Sequence, residues 1–301
     1  MRAVSKRKSV AVRVGTCGYS YKDWIGPVYP NGTKPIEMLD LYARQFVTVE
    51  IDATYYRVPG AATFDSMARR TPDGFRFTAK LPSAGTHLPD PGTRRVHDDV
   101  ALFRKNIAPL VDAGKFACVL AQFPTSFRPN DATRSHLEML REALGNLGLV
   151  VEFRHREWQT NETLELLRAI GVGLVNVDEP HFKTLPRESS DVTSSIAYVR
   201  FHGRNAANWW RGTNVTRYDY SYGTEELEPW VHRLTDIAAD PNVREVYAYF
   251  NNHARGQAVR SAELFENMLR GVLPPETLRA APREQAEASR SLELPLGDLI
   301  T

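Results

Sequence analysis

Leu149-Val150-Val151-Glu152-Phe153-Arg154-His155 is an aliphatic run that gives way to alternating charge. Its first residues have the uncharged character of a strand buried on both faces. Successive side chains of an extended chain alternate sides, so Glu152 and Arg154 share one face. A strand that is apolar along its length and charged at its C-terminal end suits a (β/α)8 barrel, where chemistry collects on the loops that carry strands into helices.

The same transition recurs along the chain. Apolar runs end at Thr16-Cys17-Gly18-Tyr19, Glu50-Ile51-Asp52, Lys80, Gln122, Arg200-Phe201-His202 and Asn251-Asn252-His253. Between these points the spacing of apolar residues predicts helices over 35–45, 62–70, 96–112, 131–144, 162–170, 225–239 and 256–269. Strands are predicted over 10–15, 47–51, 75–80, 116–123, 149–153, 173–178, 196–201 and 243–250. The segment 179–195 is too short and turn-rich for a full helix. This alternation predicts a single-domain α/β protein, a (β/α)8 TIM-type barrel over 10–272 with N- and C-terminal extensions. An open doubly wound sheet would use the same units, but no strand leads into a dinucleotide-binding glycine fingerprint. Residues 1–9 read as a basic tail, and 273–301, rich in proline and charge, as an extension lying over the barrel or partly disordered.

A length of 301 residues suits one such barrel, and 42% hydrophobic with 25% charged residues is ordinary globular composition. A formal net charge of +2 gives no field that would itself argue for nucleic acid. Two cysteines make no disulfide framework, and no apolar stretch reaches the roughly 18 residues of a membrane span, so a cytoplasmic protein without a membrane partner is expected. The first residues lack the apolar core of a signal peptide, which leaves the triplets at Asn31, Asn161 and Asn214 as chance matches to a glycosylation acceptor.

The residues expected at the strand ends are Glu50, Asp52, Lys80, Gln122, Glu152, Arg154, Asp178, Arg200, His202 and Asn251. Mixed in this way, arginines can fork onto phosphate or carboxylate while carboxylates accept from hydroxyls or take a proton. Glu50, Glu152 and His202 are the catalytic candidates. Lys80, Arg154, Arg200, Gln122, Asn251, Asn252, Tyr19, Tyr55 and Trp158 are the ligand-binding candidates. A ring of structural ion pairs is the competing reading, because buried charges must be paired whatever their use. His87, His155, His202 and His253 with Glu50, Glu152 and Asp178 could hold a divalent metal, although no paired-ligand motif is present.

Aromatic residues gather in the same loops. Tyr19, Tyr21 and Trp24, then Tyr55 and Tyr56, then Trp209, Trp210, Tyr218, Tyr220 and Tyr222 interleave with Arg57, Arg204, Arg211 and Arg217, an arrangement able to stack a base or sugar while gripping phosphate. A hydrophobic cap is the plainer alternative. The stretch 203–223 is a lid candidate. Asn251 to Ala258 lies where many barrels hold phosphate at a helix N-terminus, and Asn there serves equally as a cap. Cys17 is a conceivable nucleophile with no base evident beside it, and Cys118 reads as core.

Taken in order, these motifs resemble the YecE-like family, a domain of unknown function. The resemblance lies in Gly15-Thr16-Cys17-Gly18-Tyr19-Ser20-Tyr21 with Asp23-Trp24 and Tyr29-Pro30, Val49-Glu50-Ile51 with Thr54-Tyr55-Tyr56-Arg57, 77–80 with Thr86-His87, and Gln122-Phe123-Pro124. Glu152-Phe153-Arg154-His155 with Trp158, Arg200 to Arg204, and Tyr249 to His253 complete it. Tyr55 stands where the family usually has Phe, and Ser261 where Asn commonly precedes Ala262. The resemblance implies a TIM-type barrel, similar in architecture to sugar-isomerase and apurinic-endonuclease barrels, and no settled reaction, substrate or metal.

Two functions fit this reading. One is an enzyme, a hydrolase or isomerase, acting on a phosphorylated or polyhydroxylated ligand such as a nucleic-acid phosphodiester. The other is a protein that binds nucleic acid or a nucleotide at the same mouth without catalysis.

Overall fold

Residues 10–87 and 94–281 are described by a computed structural model. The predicted basic tail and most of the C-terminal extension lie outside them. Eight parallel strands run β1 (Ala11–Cys17), β2 (Thr48–Ile51), β3 (Arg76–Lys80), β4 (Phe116–Phe123), β5 (Gly148–Phe153), β6 (Gly173–Asp178), β7 (Ile196–Phe201) and β8 (Glu245–Phe250). Each pairs with the next, and β1 pairs with both β8 and β2, which closes the cylinder. The helices are α1 (Met38–Tyr42), α2 (Ala61–Arg69), α3 (Arg94–Asp112), α4 (Asp131–Leu144), α5 (Asn161–Ala169), α6 (Asn214–Arg217), α7 (Thr224–Ala239) and α8 (Gln257–Arg270).

Alternation along the strands divides the interior into two layers. Leu149, Val151 and Phe153 pack outward against the helices with Trp158, Trp230 and Phe265, whereas Val150 joins Cys118, Leu120, Tyr198, Tyr247 and Tyr249 inside the cylinder. Burying each large apolar side chain of this kind stabilises by about 1.5–3 kcal/mol. Two of the tyrosines that fill the barrel satisfy their hydroxyls internally, Tyr249 with Thr48 Oγ1 at 2.5 Å and Tyr198 with Thr78 Oγ1 at 2.8 Å.

Local chemistry explains where elements begin and end. Asn130 caps α4 by accepting from the Thr133 amide at 2.9 Å, and Gly145, at φ 62°, terminates the same helix. The first strand runs two residues past its expected end at Gly15. A Cβ at Gly15 would lie 2.4 Å from the Thr48 carbonyl oxygen, so glycine there permits the close approach of β2 rather than a turn. Helix α1 is shorter than the predicted 35–45, because its flanks form turns around Pro35 and after Tyr42. The C-terminal residues that are described add a short strand, β9 (Leu278–Arg279), parallel to the start of β1.

Candidate functional site

The C-terminal ends of β2, β5 and β7 bring their charges onto one axis. Arg200 on β7 donates from Nη1 to Glu152 Oε2 at 2.6 Å and from Nη2 to Glu50 Oε1 at 2.7 Å. All three are buried, at 0% exposure for each glutamate and 1% for the arginine. Tyr198 donates to the other Glu50 oxygen at 2.6 Å, and Gln122 Nε2 donates to Glu152 Oε1 at 2.6 Å. Asp52 lies 3.8 Å from Arg200 and 3.9 Å from Lys80, whose ammonium sits 4.8 Å over the Tyr55 ring.

Arg154 closes the network on the β5 side, with Nε 2.6 Å from Glu152 Oε1 and Nη1 donating to Glu179 Oε2 at 3.3 Å. His202 Nε2 is 3.1 Å from Glu152 Oε1, and the Asn251 side-chain amide meets its Nδ1 at 3.1 Å. Arg154 Nη2 also lies 3.3 Å from that Nε2, so the ring nitrogen stands between a guanidinium and a carboxylate.

These contacts set protonation. Burial works against the charge on Glu152, yet Arg154 and Arg200, followed by His202, hold its carboxyl well below the ordinary range. Burial, reinforced by Arg154, drives His202 down to about 3, so the ring is neutral near pH 7. Burial lifts Glu50 against the pull of Arg200. Burial also pushes Glu179 up to about 8, with Arg154 opposing and Glu152 and Asp178 adding to the rise.

Several residues assigned to the mouth from the sequence have other places. Arg200, expected to grip an anion, is enclosed between two carboxylates. Trp158 lies in the outer layer, stacked on Phe153 at 4.2 Å with its Nε1 donating to the Phe127 carbonyl. Tyr19 packs against the outer core beside Tyr42, where Arg70 and Asp40 are its charged neighbours. Asn252 is buried and donates to the Tyr220 carbonyl at 2.8 Å and to Ser261 Oγ at 3.0 Å, fastening the lid instead of facing a ligand.

The histidines and carboxylates that could have held a divalent metal do not come together at one point either. Among the described residues, the group of possible metal ligands within reach of one point is Cys17, Glu50 and Asp52, with no histidine in it. Arg200 already fills that corner, its Nη2 3.4 Å from Cys17 Sγ, so the guanidinium supplies the compensating positive charge. Burial, aided by Glu50, raises the Cys17 thiol well above its ordinary value, which suits core and not a nucleophile. Asp178 is saturated: Oδ1 accepts from Arg204 Nε (3.0 Å) and the Tyr222 hydroxyl (2.6 Å), and Oδ2 from Arg204 Nη2 (2.6 Å) and Trp230 Nε1 (2.6 Å). His155 lies in a separate small cavity with Trp158, and His253 stacks on Tyr21 at 4.6 Å.

The lid folds down over the β4–β5 side of the mouth. Gly203, at φ 82°, launches it, with its amide donating to the Tyr222 hydroxyl at 2.8 Å and a would-be Cβ 2.7 Å from that of Tyr220. The lid's far end is tied to the start of α8, where Gln257 accepts from the Tyr220 amide and Arg255 pairs with Asp219 at 2.7 Å. Asp23 accepts from the Arg255 amide at 2.7 Å, so carboxylates of the chain itself occupy the corner expected to take phosphate. Beneath the lid an open cavity of about 230 Å³ is lined by His87, Gln122, Phe123, Pro124, Thr125, Arg154, Leu185, Trp209, Trp210, Arg217 and Tyr218. Among the described residues, no carboxylate lines it. Arg217 was read from the sequence only as one of the arginines interleaved with the lid aromatics, and Glu179, just past the end of β6, was absent from the candidates. An acid directly following Asp178 at a strand end was the one available signal for Glu179.

Fold and site together define a parallel (β/α)8 barrel with a buried charge network at its C-terminal mouth and a capped cavity above it. The family described as "Protein of unknown function DUF72" matches residues 13–286, and the chain belongs to it. The YecE-like family is the same family under another name. The chain is 27% identical over 274 residues to UPF0759 protein YunF of Bacillus subtilis (strain 168), covering 86% of this chain and 94% of that one. Its fold matches the crystal structure of a DUF72 family protein from Thermotoga maritima MSB8, with TM-score 0.78, 39% identity, and 86% and 99% of the two chains covered. A DUF72 family protein from Enterococcus faecalis V583 matches at TM-score 0.76 and 24% identity, over 90% and 98% of the chains.

Proposed function

We propose that this protein is an enzyme acting on a small phosphorylated, polyhydroxylated molecule bound in the cavity beneath the lid. The observation that carries this reading is the lining itself: two guanidinium groups, an amide and two hydroxyls among four aromatic side chains, with no carboxylate among the described residues to repel an anion. Arg217 reinforces it, because its buried Nε has no hydrogen-bond partner among the described residues. Glu152, Arg200 and His202 lie behind Arg154, holding it in place. Titratable groups displaced far from their ordinary values beside a cavity favour catalysis over simple binding.

Exposed Tyr56 and Trp210, at 77% and 51%, favour the alternative of nucleic-acid binding. The lid fastened across the mouth favours a monomer-sized ligand over a threaded strand. Two buried free thiols suit a reducing cytoplasm, and among the described residues no helix is long and apolar enough to cross a membrane.

Titration calorimetry with ribose 5-phosphate, ribose and an oligonucleotide tests the reading. Ribose 5-phosphate should bind, ribose should bind at least about tenfold more weakly, and Arg217→Gln should remove most of the difference. Preference for the oligonucleotide, or no dependence on the phosphate, would overturn it.

A further inference from the structure

The cavity contains one side chain suited to exchanging a proton near neutrality. Among its lining residues, His87 is the one side chain of a type whose ordinary pKa lies close to neutrality. Glu50, Glu152 and His202 do not line the cavity, and each is enclosed by partners. His87 Nδ1 lies 2.8 Å from Thr86 Oγ1, and the ring meets the Tyr55 ring edge-on at 5.2 Å. Its Nε2 has no hydrogen-bond partner among the described residues. Among the described residues, the groups facing His87 are Thr86 on its own segment, Tyr55 after β2, Lys80 from β3, Arg154 from β5, and Arg217 and Tyr218 from the lid. None is a carboxylate.

We infer that His87 is the acid–base group of this cavity, taking a proton from solvent onto Nε2 when a phosphate-bearing ligand settles beside Arg154 and Arg217. The step forms one N–H bond as an O–H bond of a solvent hydronium breaks and leaves water, and the resulting imidazolium next to the bound anion is able to return that proton to a ligand oxygen. Burial, then Lys80 and Arg154, hold the free ring below its ordinary value, so it is neutral in the empty cavity. An anion offsets the nearby positive charge and reverses that bias. The inference rests on the cavity being an anion site, as proposed above.

Sulfate is the probe, because it does not itself titrate in the relevant range. The full-length chain is titrated with sodium sulfate at constant ionic strength between about pH 5.5 and 7.5, following proton uptake with an indicator dye and the His87 ring resonances by NMR. Wild type should take up protons on binding, its affinity should weaken by up to about tenfold per pH unit as pH rises, and the His87 resonances should titrate higher with sulfate present. His87→Asn should retain the high-pH affinity with no uptake. Should that variant fail to fold, the wild-type His87 resonances decide the matter alone. Sulfate binding without a change in His87 titration, or unchanged proton uptake in the variant, would overturn the assignment. Failure of wild type to bind sulfate would instead overturn the anion site and the proposed function with it.

Discussion

Arg154 forms part of the cavity wall, while 2.6 Å behind its Nε lies the fully buried carboxylate of Glu152. Together with Gln122, which lines the same cavity and donates to Glu152 at 2.6 Å, it is where the hidden charge network meets the open cavity. Anything bound at Arg154 competes with Glu152 and Glu179 for one guanidinium, and the network fixes where that guanidinium can point.

Removing the charge at Glu152 leaves Arg200 buried with Glu50 as its one hydrogen-bonded carboxylate and Asp52 3.8 Å away. Glu152→Gln should cost about 3–5 kcal/mol in denaturant unfolding, the penalty for breaking a buried ion pair from one side. A loss below about 1 kcal/mol would mean that solvent reaches the network.

The lid depends on Asp178, which accepts four hydrogen bonds from Arg204, Tyr222 and Trp230. Asp178→Asn keeps the shape but loses the charge and turns one acceptor into a donor. It should destabilise by about 2–3 kcal/mol and raise proteolytic cleavage within 203–223 severalfold. Unchanged protease resistance would show that the lid is held by other contacts.

A carboxyl raised to about 8 when folded binds a proton that the unfolded chain has already released above its ordinary pKa near 4.3. The Glu179 contribution to stability therefore falls as pH rises through that window and levels off above about pH 8. Histidine 202 acts oppositely, since a ring lowered to about 3 makes stability rise with pH up to its unfolded value near 6.5. Between about pH 6.5 and 8, of these two only Glu179 contributes, at up to about 1.4 kcal/mol per pH unit. Glu179→Gln should flatten the decline measured there by urea unfolding, and an unaltered slope would assign the titration elsewhere.

Much of the fold was legible because the strands are apolar runs with sharply punctuated ends. β4, β6, β7 and α4 occupy the residues that their patterns predict. The convergence of Glu50, Lys80, Glu152 and Arg200 was also readable, since strand alternation and barrel topology together force strand-end residues of one parity toward the axis. What sequence could not convey was pairing. An arginine at a strand end looks the same whether it awaits a ligand or, as with Arg200, is consumed by two carboxylates. Trp158 and Tyr19 followed the same rule from the other side, because an aromatic residue in a loop after a strand can turn outward beneath the helices. Arg217 was readable only as one of several arginines in the lid stretch, because its helix α6 is too short, at 4 residues, to leave a periodic signal.

The lid arginine offers a direct energetic check on the cavity. Arg217→Gln should weaken sulfate binding by about tenfold, equivalent to about 1.4 kcal/mol, with no more than about 0.5 kcal/mol change in folding stability. Equal affinity in both proteins would remove Arg217 from the anion site.

The most direct measurement is a crystal structure of the protein grown with tungstate, whose anomalous signal locates an oxyanion without reference to the protein atoms. The account predicts one dominant peak under the lid, within hydrogen-bonding distance of the Arg154 and Arg217 guanidinium groups and beside His87. A cavity free of tungstate, with the anion bound only at other surfaces, would contradict it.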